Sequence, residues 1–273
     1  MQRLGRNHRR YLGDTLDVPR ILAELRTEAV RNGWTLGSLT TDSGTELPVL
    51  TRAPRHAGLC APRLYFSAGI HGDEPAGPLA VLELLRQAIF PEDAWGWCCP
   101  CLNPTGLALN TRESAAGIDL NRDYREAHAP EVRAHIEWLR RQPLFDLALC
   151  LHEDWEAAGF YVYEVNSANQ PSLAPAMVEA VRPVCPIDLS PVIDGRDAHQ
   201  GIIRPTLDPA MRPEWPEAFY LLQNKTRLSY TLEAPSDYPL DTRVAALVAG
   251  VRAAFDTFTR TPPPRDDTSP PPP

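Results

Sequence analysis

Leu64-Tyr65-Phe66-Ser67-Ala68-Gly69-Ile70-His71-Gly72-Asp73-Glu74 begins as an apolar run and ends as a polar turn. The run predicts a buried strand over 64–70, broken near Gly69. An imidazole and a carboxylate, His71 and Glu74, then follow on a turn that leads into a helix-like segment from Pro78 to Ala88. In an α/β sheet the carboxyl ends of the strands are where ligands bind. A His and a Glu held there by a short turn can close on one metal ion. A second His from elsewhere would make the set His₂Glu with one open coordination position.

Working outward, residues 20–33 show helical spacing of apolar positions and stop at Asn32-Gly33. Short β-like runs are predicted over 35–40 and 47–51, and a strand over 95–102. A polar loop is expected from Asn103 to Asp123, and a helix over 129–141 starting at Pro130. Leu144 to Leu151 is another apolar strand, ending at His152. Beyond it the pattern predicts strands over 160–165 and 228–234 and helices over 172–181 and 242–259. The proline-rich stretch 185–217 reads as surface excursions around a pocket. Strands alternating with helices predict an α/β fold, a single domain with a mixed, largely parallel sheet flanked by helices. The domain is expected over 1–260, followed by a disordered Pro-rich tail over 261–273.

Composition narrows the partners. Hydrophobic residues at 43% and charged residues at 23% describe a globular protein with a large core. A formal charge of -8 argues against nucleic acid or an anionic membrane as the main partner. No apolar stretch approaches the roughly 20 residues needed to span a bilayer. The basic N-terminus lacks a continuous apolar segment behind it, so a cytoplasmic protein is expected. Cys98, Cys99 and Cys101 lie in an apolar strand and have no matching Cys pair, which reads as buried free thiols.

His152 is the candidate third ligand, because it too follows a buried strand. Position alone leaves two readings open: a metal site, or a sheet edge that happens to be polar. Glu233 follows the apolar strand Leu228-Ser229-Tyr230-Thr231-Leu232 and is a candidate base. A carboxylate beside a metal-held water can take its proton and later deliver it to a leaving amine. Arg112, Asn121 and Arg122 share one loop. Two guanidiniums and an amide near a metal suit an anionic substrate, through paired hydrogen bonds to a carboxylate and stabilisation of an oxyanion. By itself, that loop could equally be a solvated surface with an Asp119–Arg122 pair.

Five motifs in order resemble one family. Gly69-Ile70-His71-Gly72-Asp73-Glu74, Asn103-Pro104-Thr105-Gly106, Gly117-Ile118-Asp119-Leu120-Asn121-Arg122, the strand-end His152 and Thr231-Leu232-Glu233-Ala234-Pro235 together look like the zinc carboxypeptidase superfamily. The resemblance implies that His71, Glu74 and His152 hold one zinc ion. It implies Glu233 as general base and acid toward the metal-held water. Asn121 and Arg122 would bind the substrate's terminal carboxylate, and Arg112 would polarise the scissile carbonyl.

Two departures matter. Digestive members close a tyrosine over the substrate; Tyr220 lies upstream of Glu233, but no spacing match assigns it that role. The stretch Glu153-Asp154-Trp155-Glu156 after His152 is unusually acidic; it could attract an amine, orient the ligands, or be solvated. The leading expectation is a metallocarboxypeptidase-like hydrolase that cuts an amide near a free carboxylate in a small peptide. Bacterial relatives of this size include murein peptide amidases, which makes recycled cell-wall peptide one candidate. The alternative is a deacylase of N-acyl amino acids, resembling the succinylglutamate desuccinylase and aspartoacylase branch. Members of that branch carry a β-rich domain after the catalytic Glu, whereas here one helix and the tail follow. A binding protein that has lost its chemistry is a third reading, and the complete residue set speaks against it.

Overall fold

The computed structural model describes residues 16–56, 61–206, 208 and 213–260. The expected tail lies outside the described residues. Among the described residues, ten strands form one sheet: β1 (Thr35–Thr40), β2 (Glu46–Arg52), β3 (Arg63–Ala68), β4 (Trp95–Cys99), β5 (Leu147–Asp154), β6 (Tyr161–Asn166), β7 (Val192–Ile193), β8 (Arg196–His199), β9 (Ile202–Ile203) and β10 (Leu228–Pro235). Their spatial order is β1-β2-β4-β3-β5-β10-β6-β9-β8-β7. The expected parallel character is found at the centre, where β4, β3, β5 and β10 run side by side in one direction, and again where β9 pairs with β6. On the flanks, β1, β2 and β6 join antiparallel, and a short meander of β7, β8 and β9 closes the far edge.

Helices cover both faces, which is why the central strands are apolar almost throughout. On one face lie α1 (Val18–Arg31), α2 (Ala76–Arg86), α5 (Ala174–Val181) and α7 (Leu240–Arg260). Leu147, Leu149, Leu151, Tyr230 and Leu232 turn toward them. On the other face lie α4 (Pro130–Arg141) and α6 (Glu217–Asn224), meeting Tyr65, Trp97, Cys99, Ala148 and Cys150. Cys98, Cys99 and Cys101 are buried free thiols, as their apolar setting predicted.

Four expectations change. The loop after Asn103 holds a short helix, α3 (Pro104–Leu109), and a 3-10 turn at Leu120–Arg122. Asn103 caps α3 by accepting from the Gly106 amide at 2.8 Å, and Pro104 supplies a helix-ready first residue. The 185–217 stretch contains the three small strands of the far edge. The sequence pattern passed over α6 altogether. Finally, β5 and β10 run past their apolar cores, so His152 and Glu233 lie inside strands rather than beyond them.

Candidate metal centre and active site

The site forms where β3 ends. Gly69 has φ +64, a conformation that L side chains rarely adopt, and it turns the chain out of the sheet. Gly72 then passes so close to Gly106 that an added Cβ would sit 1.9 Å from its carbonyl carbon. The His71–Glu74 turn is therefore wedged against the start of α3, and neither glycine tolerates a side chain. The Glu74 carboxylate is held from two sides. Its Oε1 lies 2.5 Å from His71 Nδ1, and its Oε2 lies 2.9 Å from His152 Nδ1. Oε2 also accepts from the Glu153 backbone amide at 3.0 Å.

His71, Glu74 and His152 are all buried, and one donor atom from each lies within 4.8 Å of the others. Two imidazoles turning the same nitrogen, Nδ1, onto one carboxylate is a donor set that fits a zinc ion. Burial opposes a charge on Glu74, but His71 and His152 outweigh it and keep the carboxyl well below its ordinary range, ready as an anionic ligand. Burial lowers His152 and favours the neutral imidazole that a metal needs.

Asp119 joins this set from the loop. Its Oδ2 accepts from Arg112 Nε at 2.9 Å and its Oδ1 from the Asn121 amide at 3.0 Å. Oδ1 also stands 3.3 Å from His71 Nε2. The alternative of a solvated loop paired Asp119 with Arg122; instead Asp119 grips Arg112 and faces a candidate ligand. Its place in the Gly117–Arg122 motif was the available signal. Arg112 is brought beside the ligands, with Nη1 3.3 Å from His71 Nδ1 and 3.6 Å from Glu74 Oε1. Asn121 Oδ1 accepts from the Glu217 amide at 2.9 Å. Arg122 is exposed, donates to the Asn121 carbonyl at 3.0 Å, and has Nε 3.9 Å from Glu214.

Glu233 arrives by strand pairing. It is the register partner of His152 on β5 and of Tyr161 on β6. Paired residues of neighbouring strands point to the same face, so the candidate base, a candidate ligand and a tyrosine share one side of the sheet. Burial, followed by Glu74, Asp154 and Asp194, pushes the Glu233 carboxyl well above its usual range, with Arg112 acting in the opposite direction.

Other candidates go elsewhere. Tyr220 is buried on α6, with its ring 5.8 Å from that of Tyr124, and belongs to the core. The acidic stretch divides. Glu153 points to the opposite face, where it accepts from the Ala76 amide at 2.6 Å, Ser236 Oγ at 3.2 Å and Arg243 Nη1 at 2.5 Å. Asp154 accepts from the Tyr161 hydroxyl at 3.0 Å and the Glu156 amide at 2.8 Å. Glu156 itself is exposed.

Fold and donor set together resemble those of carboxypeptidase-like metallohydrolases. Residues 60–180 match the succinylglutamate desuccinylase/aspartoacylase catalytic domain. A protein from Shewanella amazonensis, provisionally described as a metallopeptidase, superposes with a TM-score of 0.75 at 25% identity over 88% of this chain and 93% of its own. A metallo-carboxypeptidase from Burkholderia cenocepacia gives a TM-score of 0.68 at 21% identity, over 91% of this chain and 71% of its own. Carboxypeptidase SOL1 of Arabidopsis thaliana is 31% identical over 101 residues, 29% of this chain and 20% of that protein. This chain thus spans about a fifth of the length of that curated relative. The chain is thus similar in fold to metallo-carboxypeptidases and, over residues 60–180, to the succinylglutamate desuccinylase/aspartoacylase catalytic domain. Among the described residues, no helix is long and apolar enough to cross a membrane.

Proposed function

We propose that this protein is a zinc-dependent hydrolase that cleaves an amide bond near a free carboxylate in a small peptide. One observation carries the reading: Glu233 pairs in register with His152, on the face where His71, Glu74 and His152 converge. A base and a metal-ligand set on one sheet face are the two halves of a water-activating site.

His71, Glu74 and His152 would hold the zinc. When bound, it supplies a Lewis acid that makes water a nucleophile at neutral pH and polarises a carbonyl. Glu233 takes the proton released by the attacking water onto its carboxylate and passes it to the leaving amine. Arg112 stands beside the candidate ligands, where its guanidinium can face the oxyanion that develops on the carbonyl oxygen as water adds to the carbon. Asp119 holds it there through Nε, while Nη1 faces His71 and Glu74. Asn121 and Arg122, consecutive on the 3-10 turn, would take the substrate carboxylate.

The peptidase reading is supported by the protein from Shewanella amazonensis, which covers nearly the whole chain. A second reading, deacylation of N-acyl amino acids, is supported by the domain match over residues 60–180. Both use the same residues on an amide next to a carboxylate. They differ in which side of the bond carries the larger group. Substrate profiling of the zinc-loaded protein separates them: small peptides with free and blocked C-termini are run beside N-acyl amino acids. Turnover of free-carboxylate peptides alone supports the first reading. Turnover of N-acyl amino acids alone replaces it with the second.

A further inference from the structure

The loop that carries Asn121 is fastened by a residue on the helix the sequence pattern passed over. Glu217 opens α6 and is 1% exposed. Its backbone N–H donates to Asn121 Oδ1 at 2.9 Å. Its carboxylate accepts from the Tyr65 hydroxyl at 2.7 Å and from the Ser67 hydroxyl at 2.9 Å. Tyr65 and Ser67 belong to β3, the strand that runs directly into the His71–Glu74 turn. Tyr65 is itself held by His135 Nε2 at 3.1 Å, and the other ring nitrogen of His135 lies 2.7 Å from the Tyr124 hydroxyl.

A buried carboxyl is costly in an apolar setting, and the neighbouring buried positions of α6, Phe219, Tyr220 and Leu221, are all large and apolar or aromatic. Core packing alone gives no reason for an acid there. Burial pushes this carboxyl up to about 7, against the pull of the Tyr65 and Ser67 hydroxyls. The consequence for Asn121 follows from donor chemistry. A backbone N–H can only donate, so the Asn121 atom facing it is the oxygen, and Nδ2, a donor, is left on the other branch of the amide. Asp119 fixes the backbone of the same residue from the ligand side.

We propose that Glu217 is a positioning residue for substrate binding: by tying the start of α6 to β3, it sets the orientation in which Asn121 offers Nδ2 to the substrate carboxylate. This rests on the reading of Asn121 as a carboxylate-binding residue.

The test uses the zinc-loaded full chain and two probe sets, N-acetyl dipeptides with a free C-terminal carboxylate and the same dipeptides as C-terminal amides. Turnover is measured in the native background and binding in the Glu233→Gln background. Glu217→Ala is expected to raise KM for the free acids about 10-fold, the scale of one hydrogen bond to a charged group, with kcat and zinc content little changed. KM and affinity for the amides should stay where they were. Glu217→Gln, which keeps an acceptor oxygen, should restore most of the free-acid preference. Equal effects of Glu217→Ala on acids and amides, or no effect on either, overturn the proposal. If Glu217→Ala does not fold, Tyr65→Phe and Ser67→Ala carry the test; an undiminished free-acid preference in both overturns it. Asn121→Ala separates the two levels. If it keeps the preference, the reading of Asn121 fails and this inference with it; if it loses the preference while Glu217→Ala keeps it, only this inference fails.

Discussion

His152 and Glu153 are consecutive residues at the end of one strand, yet they serve opposite sides of the molecule. His152 turns to the face of α4 and α6, beside Glu74 and in register with Glu233. Glu153 turns to the face of α2 and α7, where Arg243, Ser236 and the Ala76 amide enclose it. Both side chains are buried and both belong to a polar cluster. On the first side, the candidate ligands converge, with the proposed base and a guanidinium beside them. On the second, the charges are satisfied by one another and tie α7 and the start of α2 to the strand. Buried polarity near an active site is thus of two kinds, one directed at a ligand and one directed inward. The alternation of a strand decides which residue belongs to which.

That contrast can be broken experimentally. The largest effect is expected for Glu233→Gln on the site face: turnover should fall about 10²–10⁴-fold, the usual reach of a positioned proton carrier. Zinc content and melting temperature should hold. Near-native turnover would remove Glu233 from the chemistry. On the sealed face, Arg243→Ala leaves the Glu153 charge buried without its guanidinium and should cost about 3–5 kcal/mol in denaturant unfolding. A variant as stable as the parent would mean that the pair does not carry that face. Asp119→Asn sharpens the site side. It weakens the support of His71 and Arg112, and zinc affinity by competition with a chelator should drop about 10–100-fold; unchanged affinity would make Asp119 a loop residue only. The smallest effect belongs to Glu156→Gln, exposed and outside both clusters, with a stability change within about 0.5 kcal/mol. A marked loss of turnover there would bring the acidic stretch back as part of substrate recognition.

The central sheet was legible because its strands are apolar on both faces, and 64–70, 95–102 and 144–151 announce themselves as runs. The three candidate ligands and Glu233 were legible because each interrupts or follows such a run with a polar residue. What periodicity could not show was that β5 and β10 continue through His152 and Glu233. His152 is buried and Glu233 half-buried, beside Glu74, Tyr161 and one another's strands, and hydropathy does not register that. α3 and α6 escaped for a different reason. Each is short, starts at or just after a proline and lies within a polar or proline-rich stretch, so there are too few turns for a helical period to emerge. Asp119 and Glu217 share that limit, because their partners are 48 and 152 positions away at the far end of a chain crossing. The division of Glu153 from Asp154 and Glu156 was likewise invisible until the strand fixed which way each residue faces.

The register between Glu233 and His152 has an evolutionary consequence. Neighbouring strands lie about 4.8 Å apart in any sheet, so the spacing from the proposed proton carrier to the candidate ligand is a property of backbone pairing and not of any loop. Segments such as 185–217 can lengthen, shorten or change character without moving that pair. A one-residue slip of β10 would instead carry Leu232 or Ala234 onto the site face and turn Glu233 into the core. Selection on this scaffold can therefore explore new substrates through its loops while the reacting groups stay fixed by the weave of the sheet.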